Sequence, residues 1–166
     1  MPFSAQSELV SETAAVRSTH LMTADHRAAL GALPHGPEFR FVDAMISLDP
    51  GVEAMGSYHV RGDEAFLAGH FPGNPLMPGV LLIEAIAQLG GVLVQTDLKQ
   101  TPLADLRLTG VRVAKILGAA VPGDLLEIHA KLEGRLGGLV QIAGEVFGPQ
   151  GLLAAAKVTL SGTVAD

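Results

Sequence analysis

The sequence predicts an α+β domain in which a long, curved antiparallel sheet encloses one helix. Three observations predict it. Residues 80–94 form an apolar run whose few polar members fall on one narrow line. Three segments in the second half alternate apolar and polar residues, with the period of two that a strand with one wet face shows. Glycine- and proline-rich turn signals separate those segments at spacings that suit hairpins.

The elements follow in order. Residues 1–22 are rich in Ser, Thr, Ala and Glu without a sustained period, so a loosely held extension is expected there, with one domain over residues 23–166. Thr23-Ala24-Asp25 caps a short helix over residues 26–33, which Pro34 stops. From Phe39 the pattern becomes β-like: Phe39, Phe41 and Val42 lead to the turn Asp49-Pro50-Gly51, and residues 52–60 return as the partner strand. Residues 106–117 make another strand before the turn Pro122-Gly123-Asp124. Leu126, Ile128, Ala130 and Leu132 then alternate with Glu127, His129, Lys131 and Glu133. Val140, Ile142 and Val146 do the same with Gln141 and Glu145, as do Ala154, Ala156, Val158 and Leu160 with Lys157 and Thr159. Turns at residues 134–138 and 148–151 join these strands into an antiparallel meander.

The helix after Pro78 lacks the broad polar face of a surface helix. Glu84, Gln88 and Gln95 lie at i, i+4 and i+11, within about 40° of one another at 100° per residue. The rest of residues 80–94 is apolar or glycine, so sheet is expected to surround the helix on most sides. The run is shorter than a membrane span and includes Glu84, Gln88 and Gly90-Gly91, which favours a buried helix over membrane insertion.

Composition removes several function classes. With 17 acidic against 11 basic residues the formal charge is −6, so no field attracts nucleic acid. The absence of cysteine excludes disulfides, thiolate catalysis and cysteine-ligated metal. His20, His26, His35, His59 and His129 show no ligand spacing, and no metal site is expected. Residues 1–22 have no apolar stretch behind a basic start, so no secretory signal is read and a cytoplasmic protein is expected.

The chemistry concentrates in residues 69–84. Three prolines between His70 and Gly79 stiffen the loop, and Pro78 suits a helix start, where its missing N–H is not needed. The free amides of Gly79 and Val80, at the positive end of the helix dipole, suit an enolate-like oxygen. Gly79 has no side chain to keep a ligand carbonyl away. Glu84 sits two turns into an apolar helix, where desolvation favours its protonated form, ready to hand a proton to a departing hydroxyl. His70 titrates nearer neutrality and suits removal of a proton α to a carbonyl. Together they point to loss of water from a β-hydroxy carbonyl compound, or to the reverse hydration. Each residue also has a plainer reading: His70 as a loop anchor, Glu84 as a paired structural charge, Gln88 as a structural hydrogen-bond partner. The rise from Pro78 to Glu84 is about 9 Å at 1.5 Å per residue, and His70 lies farther back. Glu84 is therefore expected to face the His70 of a second subunit, in an active site at a homodimer interface.

The run His70-Phe71-Pro72-Gly73-Asn74-Pro75, then Met77-Pro78-Gly79-Val80-Leu81, Glu84-Ala85 and Ala87-Gln88, resembles the 3-hydroxyacyl-[acyl-carrier-protein] dehydratases of the FabZ type. Leu33-Pro34-His35, Val42-Asp43, Leu48-Asp49-Pro50-Gly51, Lys115 and Val121-Pro122-Gly123-Asp124 extend the likeness from about Leu30 to about Leu160. The resemblance implies a hotdog fold, with His70 and Glu84 as catalytic residues from opposite subunits. It implies that Gly79, Val80, Phe71 and Gln88 bind or orient substrate, and that no cofactor is needed. The implied substrate is a 3-hydroxyacyl thioester on an acyl carrier protein or coenzyme A, and the product a trans-2-enoyl thioester, in fatty-acid or related acyl-chain synthesis. Dimers of the family often assemble further into hexamers, a trimer of dimers. The related FabA type carries aspartate where this chain has Glu84, so dehydration without isomerisation is expected. Other hotdog activities (thioester hydrolysis, hydration) and a non-catalytic acyl-binding subunit are the alternatives. The chain departs from the family pattern in three places. It reads Pro34-His35-Gly36-Pro37-Glu38-Phe39 where members usually read Pro-His-Arg-Tyr-Pro-Phe, and Ile116-Leu117-Gly118 where Phe-Arg is usual. It also has Arg107 near the place of a tyrosine that commonly lines the acyl tunnel.

Overall fold

The computed structural model describes residues 23–164; the extension expected over residues 1–22 lies outside them. Helix α1, Ala24–Gly31, begins where Thr23 accepts the His26 N–H on its hydroxyl, 3.1 Å away. A 3-10 turn at Pro37–Phe39 precedes strands β1, Ala44–Asp49, and β2, Glu53–His59. Helix α2, Ala65–Gly69, and the 17-residue helix α3, Gly79–Gln95, follow. Strands β3, Leu103–Ile116, β4, Leu125–Leu136, β5, Leu139–Gly148, and β6, Gly151–Val164, complete the chain. All six strands join one antiparallel sheet in the order β1-β2-β4-β5-β6-β3. The expected meander is β4-β5-β6; β3 comes before it in sequence and pairs on its far side.

The sheet closes over one face of α3. Leu82, Ile86, Leu89 and Leu93, at spacings of four, three and four, have no exposed surface. They meet Ile128, Ile142 and Val146, the inward positions of β4 and β5, which are equally dry. Contact is close enough to require glycine on the sheet. A Cβ on Gly144 would run into Ile86 and lie 2.7 Å from the His129 carbonyl oxygen.

The structure departs from expectation in three places. The first strand does not begin at Phe39. There the Phe39 carbonyl accepts from Gln88 Nε2 and the Phe41 N–H donates to Gln88 Oε1, each at 2.8 Å. A helix side chain thus occupies the backbone groups that a neighbouring strand would otherwise take, and pairing starts only at Ala44. Helix α2 was not expected; five residues are too few to show a period. Strand β3 begins three residues earlier than expected and shifts register against β6 three times, with Asp105 and Val113 at positive φ.

Candidate active site

Helix α2 delivers His70 at its C-terminal end. The loop that follows is pinned by its own backbone. Phe71 and Asn74 exchange N–H···O bonds of 3.1 and 2.9 Å, and the Leu76 N–H donates to the His70 carbonyl at 2.8 Å. The Met77 N–H reaches the Ala120 carbonyl at 2.8 Å, tying the loop to the segment after β3. His70 Nδ1 lies 2.9 Å from the Leu76 carbonyl oxygen. A carbonyl only accepts, so this nitrogen donates, and the neutral ring presents its Nε2 lone pair outward. The Phe71 ring stacks on the imidazole at 4.2 Å and is itself half exposed.

The segment leading into α2 is held by a buried carboxylate. Glu64 accepts from the backbone N–H groups of Arg61 and Gly62 at 2.9 and 2.8 Å, and from the Tyr58 hydroxyl at 3.0 Å. Burial alone pushes the Glu64 carboxyl upward, but these donors outweigh it and hold the group below its ordinary value of 4.5. Burial and the facing Glu64 carboxylate push the Tyr58 phenol well above its own ordinary value. The two directions agree: a neutral phenol donates to a charged carboxylate. Because the folded value is the lower one, this contribution to stability is complete above the unfolded value and lost as pH falls through the folded one. Glu64→Gln is therefore expected to cost about 1–3 kcal/mol near neutrality and less in acid. Urea midpoints measured between pH 7 and pH 3 check this, and a gap that stays constant with pH would contradict it.

On α3, Pro78 is the N-cap, and among the described residues no side chain caps the first amides, those of Gly79 and Val80. The Ile116 side chain lies over Gly79 so closely that a Cβ there would sit 2.6 Å from Ile116 Cδ1. Val80 is two-thirds exposed. About one and a half turns on, the largely buried Glu84 side chain accepts from Gln88 Nε2 at 3.0 Å on Oε1. His35 Nε2 lies 3.3 Å from the same oxygen. The sequence marks His35 as part of the run Leu33-Pro34-His35 that extends the family likeness, but gives it no ligand spacing and no role. Its proximity to Glu84 is a long-range contact.

Glu84, Gln88, Gly91 and Gln95 form the floor of a cavity of about 640 Å³, with His35 and Arg107 on its walls. The polar stripe read from the sequence thus faces this space. Gln95 closes one end by exchanging hydrogen bonds of 2.7 and 2.9 Å with the backbone of Leu103. His70 is not among the lining residues, so within one chain the structure brings Glu84, Gln88 and His35 together and leaves His70 outside. Among the described residues no group of three or more His, Asp or Glu side chains is placed to hold a metal ion, and no helix is long and apolar enough to cross a membrane.

The comparisons with known proteins agree on the family. The FabA-like domain model matches residues 33–150. The 3-hydroxyacyl-[acyl-carrier-protein] dehydratase FabZ of Nitratidesulfovibrio vulgaris is 44% identical over 112 residues, 65% of this chain and 71% of that protein. The protein of the same name from Syntrophotalea carbinolica is 34% identical over 137 residues, 82% of this chain and 93% of that one. Among solved structures, the dehydratase heterocomplex ApeI:P from Xenorhabdus doucetiae superposes with a TM-score of 0.65 at 21% identity, covering 78% of this chain and 87% of the other. Zebra fish thioesterase superfamily member 2 superposes with a TM-score of 0.60 at 13% identity, covering 80% and 90%. These two likenesses concern the fold, a hotdog. With the family model spanning most of its length and relatives of this identity, the chain belongs to the FabZ-type dehydratases of the FabA-like domain family.

Proposed function

We propose that this protein removes water from 3-hydroxyacyl thioesters carried on acyl carrier protein, giving trans-2-enoyl thioesters in fatty-acid or related acyl-chain synthesis. One observation supports this reading most. His70 presents an unblocked Nε2 on a pinned loop, while Glu84 is oriented by Gln88 in an acyl-sized cavity that the same chain's His70 does not line. The two groups complete each other across a homodimer. Strand β3 is one of the two edges of the sheet, the other being β1, and its Leu108, Val111, Val113 and Ile116 are exposed apolar residues. An edge of that kind is covered by a second copy of the chain, and Ile116 leads from it to the start of α3. Three such dimers assemble into a hexamer.

In this scheme the thioester oxygen accepts from the Gly79 N–H at the positive end of α3, with Val80 and Phe71 against the substrate. His70 Nε2 takes the proton from Cα, the Cα–H pair becomes the new double bond, and the Cβ–O bond breaks. Glu84 of the other protomer gives its proton to the departing hydroxyl, which leaves as water. Proton return from the imidazolium to the carboxylate through solvent resets the site, and neither metal nor organic cofactor enters. Residues 23–166 act as one domain in the cytoplasm.

The test is incubation with a 3-hydroxyacyl thioester on carrier protein, following the enoyl thioester by absorbance and free thiol by a thiol reagent. Enoyl product without thiol is expected. Thiol release, or neither product, would overturn the reading.

A further inference from the structure

The cavity contains an imidazole that this scheme does not use. Glu84 Oε1 faces two nitrogens, Gln88 Nε2 at 3.0 Å and His35 Nε2 at 3.3 Å. Gln88 cannot turn over. Its Oε1 accepts from the Phe41 N–H, and its amide also donates to the Phe39 carbonyl, so the remaining N–H points at Glu84. The surroundings of the other ring nitrogen of His35 set its tautomer. Nδ1 is buried without a hydrogen-bond partner among the described residues, so a hydrogen placed there would be stranded. A hydrogen on Nε2 meets the Glu84 oxygen instead. The loop that carries His35 is itself held. Arg40 donates to the carbonyls of Leu33 and His35 at 3.4 and 3.1 Å, and the Phe39 ring stacks near the imidazole at 6.2 Å.

Resting on the reading of Glu84 as the acid, we propose that His35 is a positioning residue for it, contributed by the same protomer. With Oε1 accepting from Gln88 and from the His35 Nε2–H, the transferable proton resides on Oε2, the oxygen left to face the substrate hydroxyl. When that proton moves to the leaving oxygen, the charge remaining on the carboxylate is met by a donor already in place. No proton passes to or from His35.

Three variants of the full-length protein test this: His35→Phe, which keeps a flat ring but no donor; His35→Gln, whose amide reaches the place of Nε2; and His35→Asn, whose amide reaches only that of Nδ1. His35→Phe is expected to lower kcat about tenfold with KM within about twofold of wild type. His35→Gln recovers most of that loss, and His35→Asn does not. Thermal midpoints measured alongside separate this pattern from general loosening. A kcat for His35→Phe within about twofold of wild type would overturn the role, as would equal losses in the Gln and Asn variants. A wild-type protein that forms no enoyl product overturns the dehydratase reading and this inference together. An active wild type with an unaffected His35→Phe overturns only the inference.

Discussion

Replacing His70 by alanine, or Glu84 by glutamine, is expected to lower kcat/KM for a 3-hydroxyacyl thioester by about 10²–10⁴-fold, the range for losing a general base or acid. Neither change should disturb the fold. The His70 loop keeps its backbone ties among Phe71, Asn74 and Leu76, and the Met77 bond to Ala120 is untouched. Glutamine at position 84 is nearly isosteric, and its oxygen still accepts from Gln88 Nε2, so the cavity retains its shape. What is removed in each case is a proton acceptor or donor at the reacting carbons. The loss should fall on kcat, with KM little changed, because neither group grips the ground state strongly. Initial rates of enoyl formation and thermal midpoints of both variants check this. A variant within about tenfold of wild type would remove the role assigned to that residue.

The largest effect on stability is expected from Ile86→Ala. Ile86 has no exposed surface and lies against Gly144, where β5 comes so close to α3 that a Cβ on the sheet would collide with it. Close packing of this kind leaves little room for neighbours to collapse into the space, which places the cost in the range of about 2–5 kcal/mol. For a domain of this size that is a fall in Tm of roughly 2–4 °C per kcal/mol. Leu98→Ala, at a position 98% exposed, should stay within about 0.5 kcal/mol of wild type and serves as the control. Urea denaturation of the two variants checks the contrast. Similar midpoints would mean that the face of α3 formed by Leu82, Ile86, Leu89 and Leu93 is not the centre of the core.

Much of this was legible in the sequence because its signals are periodic. Strands β4, β5 and β6 each carry several alternations, and α3 combines a long apolar run with a narrow polar stripe. Both patterns fix which face is buried, and the polar stripe became the floor of the cavity. Strand β3 was harder to bound. It is exposed along most of its length, and its register shifts three times. Beyond Leu103 and Leu106, which pack on the core, its apolar residues Leu108, Val111, Val113 and Ile116 are exposed. The segment around Phe39–Val42 misled for a different reason. Phe41 and Val42 are buried as in a strand while Phe39 is half exposed, and the backbone is paired to the Gln88 side chain, a contact 47 to 49 residues away in sequence. The contact of His35 with Glu84 was missed for the same reason, a long-range approach between segments far apart in sequence. The loop–helix residues His70, Gly79 and Glu84 stood out because proline, glycine and one carboxylate in an apolar helix are locally unusual. How His70 and Glu84 meet is a matter of assembly, which spacing within one chain only suggests.

That assembly is open to a direct measurement. His70→Ala and Glu84→Gln proteins, each inactive alone, are unfolded together in equal amounts, refolded, and assayed for enoyl formation. If each site takes His70 from one protomer and Glu84 from its partner, every mixed dimer holds one intact site and one doubly altered site. About half of the dimers are mixed and each has one working site of two, so about a quarter of wild-type activity should return. A mixture no more active than its parents, with mixed dimers shown to be present, would contradict a site shared between protomers.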